Sequence, residues 1–308
     1  MPLMRHVTRR LMQQQRQYTQ VIEPVNLAFR LHTTKQQPDD DPDVSPPFVI
    51  MHGVLGVKDN WRSISQQLAY QTGRRVFSVD ARNHGDSPYT DLHSTKAMVV
   101  DMVEFMKTHR LAKICALGHS MGGRCMMMLA LKHPELVERA IIVDISPFGV
   151  PTHFHLINAI FDALLKVKLP RHLSHSEARE MLMQELHKHN NNDPEGAKIV
   201  LRNLRKHKST GEFYMPANVK AVHNNWIDFS RFRDDLLILP PYTGPILFIA
   251  GKKSKFFKKS NMKDIQKWFP NTQLEWLNAN HALHHEDPKG FLELVLHFMD
   301  KKQPQLNN

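Results

Sequence analysis

The sequence predicts an α/β fold with a mostly parallel central sheet and helices on both faces. Three observations point there: short, wholly apolar runs recur along the chain, helical patterns fall between them, and one long helical stretch interrupts the alternation. Apolar runs without a polar alternate are what strands buried on both faces need. Strands alternating with helices are the mark of crossover connections in a parallel sheet. The chain is 308 residues long, enough for a sizeable core, and its 41% hydrophobic and 23% charged content is ordinary for a globular protein.

Taken in order, Val21 to His32 alternates loosely and predicts a half-buried strand, and the polar, proline-rich stretch Gln36 to Pro47 predicts a loop. Apolar strands are expected at Pro47 to Met51, Arg75 to Val79, Ile114 to Leu117, Ala140 to Val143 and Ile246 to Ala250. Helices are expected at Asn60 to Tyr70, Thr95 to Thr108, Gly122 to His133 and Ser260 to Phe269. A strand at Gln273 to Leu277 and an amphipathic helix at Pro288 to Met299 complete the pattern. From Ser146 to Pro241 no strand is evident. Leu156 to Lys168, Ser174 to Lys188 and Gly196 to His207 read as helices there, followed by irregular sequence rich in Asn, Phe and Trp. The expected division is a basic N-terminal segment (1–22), a core (23–146 and 242–303), a helical cap (147–241) and a tail (304–308).

Composition narrows the function. No run approaches the roughly 18 apolar residues of a membrane-spanning helix, so no transmembrane segment is expected. The formal charge of +11 raises nucleic acid as a partner, but Lys and Arg are spread along the chain. The local clusters Arg202 to Lys208 and Lys252 to Lys259 fit no zinc-finger or RRM pattern, so they read as solvated basic faces and no nucleic-acid partner is expected. Cys115 and Cys125 are too few for a disulfide framework or a four-ligand zinc site. Both lie in apolar sequence and read as buried thiols in a reducing compartment. The first 22 residues contain Arg5, Arg9, Arg10 and Arg16 and no carboxylate before Glu23. They look like an amphipathic organelle-targeting segment, with an ordinary basic arm as the alternative.

The sharpest local signal is Gly118-His119-Ser120-Met121-Gly122, set between an apolar strand and a helix. Small residues around the serine allow a sharp turn that lifts its hydroxyl above the sheet. A serine hydroxyl is a weak nucleophile and needs a base that a carboxylate orients. The base is expected in the loop after the last strand, where His281, His284 and His285 lie; His281 comes first and is chosen, with His284 as second choice. For the acid, no Asp or Glu occurs between Asp235 and Asp264, which empties the loop after Ala250. Asp144, at the end of the run Ala140 to Val143, is therefore the acid. The oxyanion of an acyl-transfer intermediate needs backbone donors, assigned to Met121 and to Val54 in His52-Gly53-Val54-Leu55-Gly56. His52 is read as a support for that loop, and Asp80-Ala81-Arg82-Asn83-His84-Gly85-Asp86-Ser87-Pro88 as a set of polar ties beneath the site.

Taken together, His52-Gly53, Asp80-x-Arg82-x-His84-Gly85-x-Ser87, Gly118-His119-Ser120-Met121-Gly122-Gly123, Val143-Asp144-Ile145-Ser146-Pro147 and His281 resemble the α/β-hydrolase superfamily. More narrowly they resemble its branch of α/β-hydrolase domain-containing protein 11, related bacterial esterases and yeast ethanol acetyltransferases. The resemblance spans about Val21 to Lys302. It implies an α/β-hydrolase fold with a helical cap inserted after the sixth strand, here the run ending at Val143, and in animals and fungi usually a mitochondrial address; with the basic N-terminus this makes the mitochondrial matrix the expected compartment and the cytoplasm the alternative. It also implies a serine hydrolase of carboxylic, thio- or lipid esters, working on a small-molecule substrate without metal or organic cofactor. An alcohol acyltransferase with the same residues and a non-catalytic binding protein of the same fold are the alternatives. Three positions depart from the branch: Asn280 replaces a usual Gly, Ala282 an aromatic residue, and Lys255 a frequent acid.

Overall fold

In the computed structural model the described residues are 21–34, 45–148, 151–189 and 194–301. The basic N-terminal residues up to 20 and the tail from 302 lie outside them, and with them most of the segment behind the mitochondrial expectation. Seven strands form one sheet: β1 (Phe29–His32), β2 (Phe48–Met51), β3 (Val76–Val79), β4 (Ile114–His119), β5 (Val137–Val143), β8 (Ile246–Gly251) and β9 (Thr272–Leu277). Their spatial order is β1-β3-β2-β4-β5-β8-β9. Within this sheet only β1 is antiparallel to its neighbour; β2, β3, β4, β5, β8 and β9 run parallel.

The helices follow from burial of the sheet's two faces. Within β2, Phe48 and Ile50 pack on one side with Trp61, α1 (Arg62–Thr72) and α12 (Pro288–Asp300). Val49 and Met51 face the other side, with α2 (Thr95–Thr108) and α3 (Met121–Lys132). Both faces of β2 and β4 are buried throughout, which is why their sequences show no alternation. Ser94 caps α2 by accepting from the Ala97 N–H at 3.2 Å, and Asp287 caps α12 by accepting from the Gly290 N–H at 2.9 Å.

The helical insertion leaves the core directly after β5, the fifth strand in the described chain. It contains α4 (Pro151–Lys166), α5 (His175–His189) and α6 (Pro194–Asn203), then α7 (Val219–Asn224), α8 (Trp226–Ser230) and α9 (Phe232–Leu236). The last three occupy the stretch read as irregular; each is at most six residues, too short for a periodic signature to stand out. A two-residue hairpin, β6 (Arg205–Lys206) with β7 (Phe213–Tyr214), ends the helix expected to reach His207. After β8 come α10 (Met262–Trp268) and, beyond β9, the single turn α11 (Leu283–Glu286).

Two sequence readings need correction. The first strand is confined to Phe29–His32, because the residues before it make other bonds: Val25 N–H to Asp101 at 2.8 Å and Ala28 N–H to the Ser87 hydroxyl at 2.8 Å. Cys115 is buried, as expected, but its surroundings are ionic: Arg74 Nη1 lies 3.2 Å and Glu138 Oε2 3.0 Å from its sulfur. Burial and the neighbouring Glu138 carboxylate push its thiol pKa well up. Among the described residues no helix is long and apolar enough to cross a membrane.

Candidate active site

The carboxyl ends of β2, β4, β5, β8 and β9 share one edge of the sheet, where parallel α/β folds place their chemistry. Ser120 stands between β4 and α3 with φ 52° and ψ −114°, a strained conformation for a residue with a side chain. The glycines make room for it. A Cβ on Gly118 would lie 2.3 Å from the Gly122 carbonyl oxygen, and one on Gly122 would lie 2.3 Å from that of Met51 at the end of β2. Gly122 thus sets how closely the serine turn approaches the loop at Val54.

Asp144 follows β5 and is also left-handed, at φ 49°. Its carboxylate is fully buried and holds three donors. Oδ2 accepts from His281 Nδ1 at 2.7 Å and from the Ser254 hydroxyl, and Oδ1 accepts from the Gly251 N–H at 2.9 Å. Because a carboxylate can only accept, the His281 proton sits on Nδ1 and leaves Nε2 as the basic nitrogen. Phe256 stacks on the imidazole with ring centroids 3.8 Å apart, and His119 Nε2 donates to the His281 carbonyl at 2.9 Å.

Ser120 and His281 line the same cavity, of about 450 Å³, with Val54, Leu55, Leu156, Ile157 and Ile160 among its apolar walls. Val54 lies in the loop after β2, whose geometry is set by buried histidines. His52 Nε2 accepts from the Ala81 N–H at 3.1 Å, so its Nδ1 carries the proton and donates to the Gly53 carbonyl at 2.7 Å. The neighbouring Leu55 N–H donates to His84 Nε2 at 3.2 Å. Leu55 is therefore occupied, whereas no acceptor for the Val54 N–H is found among the described residues. The Met121 N–H opens α3, where helix geometry provides no acceptor for it. Both histidines must be neutral to accept these bonds, and burial drives the pKa of His52 down and that of His84 to about 3.

The second-choice base is placed differently. His284 is buried and stacks on Trp61 at 4.0 Å with the rings 3° from parallel, and burial holds its pKa well down. The polar ties after β3 sit where they were expected. Asp80 accepts from the Lys58 N–H at 2.6 Å and ammonium at 2.5 Å, and Arg82 binds Asp101 through two bonds of 2.6 Å. Sequence reasoning missed Ser254 and Phe256, which carry no spacing signal, and Asn203, whose amide reaches the Leu55 carbonyl from α6. Of the departures from the branch, Asn280 binds Glu286 through its N–H at 3.0 Å and its side chain at 3.1 Å. Among the described residues no three His, Cys, Asp or Glu side chains gather as a metal site.

Comparison with known proteins places this geometry in a family. A family model described as the alpha/beta hydrolase fold matches residues 46–288. The chain is 34% identical over 265 residues to the sn-1-specific diacylglycerol lipase ABHD11 of Mus musculus, covering 82% of this chain and 81% of that one. It is 27% identical to ethanol acetyltransferase 1 of Kluyveromyces lactis, covering 93% and 82%. Among solved structures, a marine microorganism esterase superposes with a TM-score of 0.76 at 27% identity, covering 89% of this chain and 99% of that one. The chain belongs to the α/β-hydrolase family, in the branch that holds the ABHD11 lipases and the yeast ethanol acetyltransferases.

Proposed function

We propose that the chain is a serine hydrolase of carboxylic esters, with Ser120 as nucleophile, His281 as general base and acid, and Asp144 as the residue that orients the imidazole. The observation that carries this reading is the 2.7 Å bond from His281 Nδ1 to buried Asp144, beside a cavity lined by both His281 and the strained Ser120. His281 Nε2 takes the Ser120 proton as Oγ attacks the ester carbonyl. The oxyanion is held by the Met121 and Val54 N–H groups. Collapse breaks the carbon–oxygen bond to the alcohol, which leaves with the proton from His281. Water then repeats the sequence on the acyl-enzyme, releasing the acid and restoring Ser120.

The apolar walls support an acyl chain or lipid ester as substrate, as does the similarity to the ABHD11 diacylglycerol lipases. A panel of esters of graded chain length tests the reading. Ser120→Ala is expected to abolish turnover while leaving the fold intact, and Asp144→Asn to lower it by about 10³–10⁴-fold. Turnover that survives Ser120→Ala at the same rate overturns the assignment. The similarity to ethanol acetyltransferase supports a second outcome for the acyl-enzyme, transfer to an alcohol. Ethanol in the assay separates the two by product: ethyl ester for transfer, free acid for hydrolysis.

A further inference from the structure

The loop that carries Val54 is held from two directions. One is the core, through His52 and His84. The other is the cap: Asn203, the last residue of α6 and only 4% exposed, reaches across to it. Its Nδ2 donates to the Leu55 carbonyl at 3.0 Å and lies 3.3 Å from Asn60 Oδ1, while its Oδ1 accepts from Asn60 Nδ2 at 3.0 Å. Asn60 in turn accepts from the Val57 N–H at 2.9 Å. The pair of amides braces a cap helix against residues 55–60.

The brace leads to the Val54 amide through two rigid peptide planes. In a trans peptide the carbonyl and the N–H point in opposite directions. The Leu55 carbonyl, held by Asn203, therefore fixes the Gly56 N–H on the far side, and that N–H donates to the Gly53 carbonyl at 3.0 Å. The Gly53 carbonyl, which also accepts from His52 Nδ1 at 2.7 Å, in turn fixes the Val54 N–H, so the cap and the core share the hold on it. Leu55 stands at φ 59°, a conformation that costs energy for a branched side chain and persists only when both of its peptides are tied down.

We propose that Asn203 is a positioning residue through which the seating of the cap sets the Val54 N–H, so that the oxyanion hole is complete only with α6 in place. The proposal rests on the serine-hydrolase reading for its catalytic consequence, not for the mechanical coupling. If the cap lifts, the Leu55 carbonyl loses its donor and the Val54 peptide keeps only the core's hold, the His52 bond to the Gly53 carbonyl, whereas Ser120, His281 and Asp144 stay in the loops at the ends of core strands. The coupling would make oxyanion stabilisation conditional on a covered cavity.

The test compares Asn203→Ala with Asn225→Ala, which removes a different tie between cap and core, the 2.7 Å bond from Asn225 Nδ2 to the Asp91 carbonyl. With a short-chain p-nitrophenyl ester, Asn203→Ala is expected to lower kcat about tenfold with KM changed less than threefold, below the full loss of an oxyanion donor. Affinity for a trifluoromethyl ketone, which becomes a tetrahedral adduct, should fall in step, while affinity for the matching methyl ketone holds. Asn225→Ala should leave kcat and the ratio of the two affinities at wild-type values. A change confined to KM or melting temperature in Asn203→Ala, with kcat and that ratio intact, overturns the proposal and reduces Asn203 to an anchor. Should the wild-type protein show no Ser120-dependent turnover, the ¹⁵N–¹H resonance of Val54 still decides the coupling. It shifts in Asn203→Ala and not in Asn225→Ala if the coupling holds, and stays in place in both if it does not.

Discussion

The loops after β4 and β8 flank β5 at the same edge of the sheet, and they are built in opposite ways. The loop after β4 works through its backbone: Ser120 at positive φ, with glycines at 118 and 122 where a Cβ would strike a neighbouring carbonyl. The loop after β8 works chiefly through side chains: no residue from 252 to 258 stands at positive φ, and the one glycine without room for a Cβ, Gly251, ends the strand itself. It offers no carboxylate, yet the Gly251 N–H and the Ser254 hydroxyl hold Asp144, and Phe256 covers His281. A backbone constraint restricts which residues can stand at a position, whereas a side-chain support is one arrangement among several that would serve. The first loop should therefore fail abruptly when altered and the second by degrees.

The largest effect is expected from Gly122→Ala. The added carbon lands 2.3 Å from the Met51 carbonyl and 2.7 Å from that of His52, so α3 and the Val54 loop have to separate. Overpacking of this kind costs about 1–3 kcal/mol or more. Activity is expected to fall at least about a hundredfold, as when an oxyanion donor is misplaced. Urea denaturation beside ester kinetics reads both, and a variant with wild-type turnover would remove the distinction between the loops. Ser254→Ala comes next: Asp144 keeps two of its three donors, and kcat/KM should fall about tenfold, a loss of about 1.4 kcal/mol. Phe256→Leu, which keeps an apolar cover but loses the stack, is expected to cost about threefold. If Ser254→Ala instead proves as severe as Asp144→Asn, the loop after β8 is as unforgiving as the loop after β4.

The most gradual effect is expected from pH and is read in stability alone. His84 is held neutral by burial, its pKa lowered to about 3, whereas in the unfolded chain it titrates near 6.5. Between those values the unfolded chain binds a proton that the folded protein does not. Stability from this group is therefore fully present above about pH 6.5 and is lost as pH falls. Lowering the pH from 7 to 5 should cost about 2 kcal/mol from His84 alone. Urea denaturation of wild type and His84→Gln at the two pH values measures it, with the variant showing the flatter dependence; equal slopes would contradict a neutral His84 behind Leu55.

The same contrast explains what the sequence could tell. The parallel strands were legible because burial on both faces forces unbroken apolar runs such as Phe-Val-Ile-Met, and the serine turn because only small residues fit around it. Asp144 was legible by elimination, since the loop after β8 holds no acid. Ser254, Phe256 and Asn203 were not, because they meet their partners only after the fold brings distant segments together: Ser254 lies 110 residues from Asp144, and Asn203 lies 148 from Leu55. The three short helices α7 to α9 escaped for another reason. Their packing against the core, with Phe229 and Phe232 buried, stabilises turns whose own sequence carries too few residues to show a period.

Covalent labelling tests the convergence of Ser120, His281 and Asp144 most directly. The protein is treated with a fluorophosphonate at neutral pH and the modified residue located by mass spectrometry. The predicted result is one adduct, on Ser120, absent in Ser120→Ala and formed far more slowly in Asp144→Asn. An adduct on another residue, or labelling of equal rate in all three proteins, would contradict the account.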